Sequence, residues 1–132
     1  MNTTEVLNKV WSDIKNLTGL NTPDKNVPFT IHTVKNDRVV IITNGGSPIV
    51  LWRSAFEAVI QYLHENKIYG EENRVEIGSS NKEKEAKSLC VVSREHRKTR
   101  VINYILPILD KFEIVKTKKK NSKEKSSAWL NK

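Results

Sequence analysis

Cysteine is almost absent from this chain of 132 residues, where Cys90 stands alone. A single thiol excludes an internal disulfide framework and suits a reducing, cytoplasmic setting. No long apolar run is present, so nothing in the sequence is suited to crossing a bilayer, and no membrane is expected. The opening MNTTEVLNKV lacks the basic start and apolar core of a secretory signal. Without staples or a membrane, stability must come from a buried core, and one domain of this length can hold one.

Acidic charge is also in short supply. Lys and Arg number 23 against 15 Asp and Glu, a net charge of +8 and a pI near 9.6. From Lys116 to Lys132 seven lysines meet one acid, Glu124, so this end carries +6 and the other 115 residues +2. The expected division is a single globular domain over 1–116 and a flexible lysine-rich tail over 117–132. Such a run either solubilises the chain or holds a polyanion without reading it, with Lys118, Lys119 and Lys120 as its densest group.

The periodicity is clearest at WRSAFEAVIQYLHEN. Ser54 and Glu57 have capping-box spacing, and Phe56, Val59, Ile60 and Leu63 form one apolar stripe on a 3.6-residue period. Residues 3–18 predict another amphipathic helix through Val6, Leu7, Val10, Trp11, Ile14 and Leu17, closed by Gly19. Between them FTIHTV, VVIIT and PIVL read as three strands joined by Asn36-Asp37 and Asn44–Ser47 turns. In FTIHTV the alternation sets Phe29, Ile31 and Thr33 against Thr30, His32 and Val34. The fold class is therefore α+β, a three-stranded antiparallel meander with helices packed on one face.

Metal-dependent catalysis finds little support. Pro23-Asp24 and Val75-Glu76-Ile77 have the shape of the two halves of a PD-(D/E)XK nuclease signature. The lysine two places after the acid is replaced by Gly78, and no aspartate lies between Asp37 and Asp110. His32 has no partner at metal-ligand spacing, and apolar neighbours favour a neutral Cys90 thiol. No cofactor or metal is expected.

The stretch SREHRKTRVINYILPILDKF reads as a helix capped by Ser93, with Val101, Ile102, Ile105, Ile108 and Leu109 as its buried face and Pro107 kinking it. Arg94, His96, Arg97, Lys98 and Arg100 crowd its N-terminal half, where the helix dipole favours acids. Free N–H groups, dipole and cations together make an anion site, commonly for phosphate. Arginines also grip a guanine edge or a phosphate at two points. Aromatics for stacking are missing around this cluster, which argues against a single-strand or RNA platform.

A β-hairpin with a third strand, then Arg53 ahead of a helix with Phe56-Glu57, then a basic serine-capped helix ending Ile-Leu-Pro, resembles winged-helix-like DNA-binding domains. These are the domains attached to some restriction and HNH-type nucleases. The carriers are FTIHTVKNDRVVIIT, IVLWRSAFEAVIQYL and SREHRKTRVINYILPIL, over roughly residues 29–116. The resemblance implies binding to double-stranded DNA, with any catalysis supplied by another domain or chain. Two other functions compete. One is a small metal-dependent nuclease using glutamates such as Glu76. The other is an adaptor or inhibitor that binds an acidic protein surface, anchored by Trp129 and Leu130.

Overall fold

The computed structural model describes residues 2–77 and 101–131. At the N-terminus the Asn2 side-chain oxygen accepts the Glu5 backbone N–H, satisfying a donor that the first turn leaves free. Helix α1 (Thr3–Val10) then tightens into a 3-10 segment, Trp11–Asn16, where the sequence predicts one continuous helix. The tighter segment holds Trp11, whose indole N–H donates to the Lys35 carbonyl at 2.6 Å. A tertiary hydrogen bond thus accompanies the loss of α-helical winding. Gly19 follows at φ +68, the left-handed conformation expected of it.

Strands β1 (Leu20–Asn21), β2 (Pro28–Val34), β3 (Arg38–Ile42) and β4 (Pro48–Trp52) form an antiparallel sheet in the order β1-β2-β3-β4. The expected meander is β2-β3-β4, and β1 is an added edge. Pro23-Asp24 sits in the turn joining β1 to β2, where Asp24 accepts the Lys25 N–H at 2.7 Å. The register of β2 shifts between Ile31 and Thr33, so Val34 pairs with Val39 and Thr33 with Val40. This bulge reverses the alternation: Val34, rather than Thr33, joins Phe29 and Ile31 on the core side.

β4 runs straight into helix α2 (Arg53–Glu65), leaving no loop for a serine cap. The capping box read at Ser54 and Glu57 therefore does not form. Trp52, still extended, is the N-cap residue with no side-chain cap hydrogen bond, and Ser54 falls inside the first turn. Glu57 reaches Arg53 instead, at 3.6 Å. The apolar stripe holds: Phe56, Val59, Ile60 and Leu63 are all fully buried.

Helix α3 (Ile102–Lys111) begins after Val101, whose carbonyl accepts the Tyr104 and Ile105 N–H groups, so it is not the helix capped by Ser93 that the sequence suggests. It continues through Pro107, and Ile102, Ile105, Leu106, Ile108 and Leu109 are buried. Ser93 and the basic residues after it lie outside the described residues, as does Cys90. A second antiparallel sheet joins β5 (Val75–Glu76), β6 (Val115–Lys118) and β7 (Ser127–Leu130) in the order β5-β7-β6.

This second sheet corrects the reading of the C-terminus as a flexible tail. V-K-T-K and S-A-W-L alternate with period two, so one side of each strand is apolar enough to bury. Val115 pairs with Leu130 and Thr117 with Ala128, while Lys116 pairs with Trp129 and Lys118 with Ser127. Leu130 is 1% exposed and belongs to the same core cluster as Leu7, Ile41, Phe56 and Ile105. Trp129 packs partly against that core, and so neither residue is a free anchor for a partner. No helix among the described residues is long and apolar enough to cross a membrane.

Candidate polyanion-binding hairpin

The β6–β7 hairpin carries the lysines of the C-terminal stretch on a connection over residues 119–126. Asn121 organises the turn: its side-chain oxygen accepts the Lys123 and Glu124 N–H groups, each at 2.8 Å. Its own N–H donates to the Glu124 carbonyl at 2.9 Å. The base of the connection is tied to neighbouring elements on both sides. Lys120 N–H donates to the Pro23 carbonyl at 3.1 Å, and Ile77 N–H to the Ser126 carbonyl at 3.1 Å.

An ionic clasp adds to these backbone ties. Arg74 meets Glu124 at 2.8 Å, and Lys118 meets both Glu124 at 3.2 Å and Glu71 at 3.4 Å. The hydrogen bond from Arg74, then that from Lys118, holds the Glu124 carboxyl below its usual range. All these groups are well hydrated, so the clasp contributes direction more than stability.

The predicted site residues separate into four groups. Lys118 is committed to Glu71 and Glu124. Lys119 and Lys120 are exposed, Lys119 donating to the neutral Asn26 side-chain oxygen at 3.0 Å. Lys123 and Lys125, which sequence reasoning did not single out, are exposed on the same connection. Among the described residues Lys120, Lys123 and Lys125 have no ion pair. Arg53 belongs elsewhere. Its guanidinium bonds the Asn8 side chain, faces Glu57 and stacks 4.8 Å from the Trp11 ring centroid, with the side chain 19% exposed. Such an arginine holds α1 to α2. Ser93, Arg94, His96, Arg97, Lys98 and Arg100 lie outside the described residues.

Chemically, the hairpin presents ammonium groups on a loop that hydrogen bonds keep in shape. No group of three or more His, Cys, Asp or Glu able to hold a metal exists among the described residues. Glu76 is exposed in β5 opposite Ser127, and His32 is exposed beside Thr33. The arrangement is able to attract phosphate oxygens. Comparison with known proteins returns no match to this chain among family models, curated proteins or solved structures.

Proposed function

We propose that this protein binds duplex DNA, with the β6–β7 hairpin as the arm that follows the phosphate backbone. One observation carries the reading: Lys119, Lys120, Lys123 and Lys125 are exposed on a turn that hydrogen bonds keep in shape. Their charges have no carboxylate partner among the described residues. Clustered lysines release condensed counterions when they meet a polyanion, and that release drives sequence-independent affinity.

The order of elements supports a winged-helix-like version of this function. α2 leads to β5, and α3 leads to β6, a basic loop and β7, with the sheet ordered β5-β7-β6. In this reading the 119–126 loop takes the place of the wing, which is not where the N-terminal meander would put it. α3 is buried along most of its length, so base reading falls on chemical grounds to Arg94 and Arg97. Such a role belongs in a reducing cytoplasm, alongside restriction or other DNA-processing systems.

A mobility shift over a salt series tests the proposal. Duplex affinity should fall steeply with salt, and replacing Lys119, Lys120, Lys123 and Lys125 by glutamine should lower the log–log slope by about 3 to 4. The loss should be the same for unrelated sequences, whereas Arg94→Gln should also relax sequence preference. An unaltered slope in the lysine variant, or no duplex binding at low salt, would remove the proposal.

A further inference from the structure

A second basic feature lies on the other flank of the hairpin. Gly19, Leu20 and Asn21 face α3 and β6 across a cleft of about 440 Å³ that also takes in Asp110, Lys111, Glu113, Lys116, Thr117 and Lys119. Three lysines thus enter one cleft from three places: the end of α3, the middle of β6 and the start of the basic loop.

Their partners are unequal. Asp110 is fully engaged, since one carboxylate oxygen accepts Thr117 N–H at 3.0 Å and Thr117 Oγ1 at 2.6 Å, and the other meets Lys116 at 3.3 Å. Lys111 and Lys119 have no carboxylate partner among the described residues, although Glu113 lines the same cleft. The negative pole of α3 accounts for a lysine at position 111. It does not account for Lys119, whose ammonium is held by the neutral Asn26 oxygen at 3.0 Å. Lys111 Nζ lies over Gly19, 3.6 Å from where a Cβ would stand, so a residue with no side chain leaves that ammonium its place.

We infer that this cleft seats a phosphoryl group between Lys111, Lys116 and Lys119. Resting on the duplex-binding reading, the group is one phosphate of the DNA backbone, which gives Lys119 to the cleft and leaves Lys120, Lys123 and Lys125 to follow the neighbouring phosphates. The same chemistry would accept a free phosphate compound. Glu113 opposes either ligand electrostatically, which gives the inference a direction that a merely structural cluster lacks.

The test uses the full chain and amide chemical shifts. A short duplex at low salt should move the Gly19, Leu20 and Thr117 amides, and the Lys111→Gln/Lys119→Gln variant should lose those shifts. In the mobility assay that variant should lower the salt slope by about 1 to 2. Glu113→Gln should tighten duplex binding severalfold. Unchanged thermal midpoints and distant amide shifts would establish that the variants are folded.

Duplex binding with silent cleft amides, or without any effect of Glu113→Gln, overturns the cleft alone and leaves the hairpin proposal standing. If no duplex binds, the DNA reading falls, and titration with inorganic phosphate at constant ionic strength then decides the cleft. Shifts confined to the cleft amides support a free phosphoryl ligand, and their absence overturns the site.

Discussion

Truncating Leu130 to alanine separates an integrated C-terminal strand from a tail. Leu130 is 1% exposed, pairs with Val115 and forms a parallel bridge with Tyr69. Its N–H donates to Ile68 at 2.8 Å and its carbonyl accepts from Gly70 at 3.0 Å. The side chain is therefore enclosed by backbone that the strand itself holds in place, and little collapse into the vacated volume is available. Leu→Ala at such sites costs about 2 to 5 kcal/mol. For a chain of this size each kcal/mol moves Tm by about 3 to 5 °C, so a drop of about 10 °C is expected. A residue on a flexible tail would change stability by less than about 0.5 kcal/mol. Circular dichroism melts of wild type, Leu130→Ala and the exposed-loop control Lys123→Ala give the comparison. If Leu130→Ala melts within a degree or two of wild type, β7 is not part of the core and the fixed-arm argument fails.

Acid should loosen the hairpin clasp. Because Glu124 has a lowered pKa in the folded state, its contribution is present above the unfolded value and disappears as pH falls through the folded one. The difference in unfolding midpoint between wild type and Glu124→Gln should be constant near neutrality and shrink below about pH 4. Lys67 has φ +56, so Lys67→Gly should raise stability by about 0.5 to 1 kcal/mol in urea unfolding. Gly19→Ala, at φ +68, should lose about 1 kcal/mol by the same measurement. Arg53→Ala should lose about 1 to 2 kcal/mol through its Trp11 and Asn8 contacts, yet leave the salt slope of duplex binding unchanged.

The parts legible in the sequence are those set by local periodicity. The stripe of α2 and the three strands of the meander are one-sided patterns, and burial follows them except past the bulge in β2, where Val34 replaces Thr33 on the core side. What escaped has separate causes. Ser54 has cap chemistry, but β4 hands over to α2 with no intervening loop, and a cap needs a residue outside the helix. Arg53 looks like a free cation until Trp11 and Asn8, far earlier in the chain, come beside it. The C-terminal hairpin is the largest omission. Its signal was present as alternation in V-K-T-K and S-A-W-L, but the lysine count dominated the composition and suggested disorder. The six-residue stretch from Asn121 to Ser126, with Asn121 bonding ahead to Lys123 and Glu124, is a turn signal of the ordinary kind.

Fixing these lysines on a strand pair alters what they are able to do. A disordered tail and a hairpin of equal charge release similar numbers of counterions, since that quantity follows the phosphates neutralised. They differ in what must be ordered on binding. Fixing a residue's backbone costs about 1 to 2 kcal/mol, and the folded hairpin has already met that cost before the proposed polyanion would bind. Only the exposed lysine side chains remain to be ordered, at about 0.5 to 1.5 kcal/mol each. The acids around the arm serve this arrangement. Glu124 and Glu71 are drawn to Arg74 and Lys118 at the sides of the hairpin, where they hold it to β5 and the segment before it. Lys120, Lys123 and Lys125 at the turn are left without a carboxylate among the described residues. Glu124 sits in the turn itself, between Lys123 and Lys125, so its pairing with Arg74 and Lys118 fixes the turn from within while the flanking ammonium groups stay exposed.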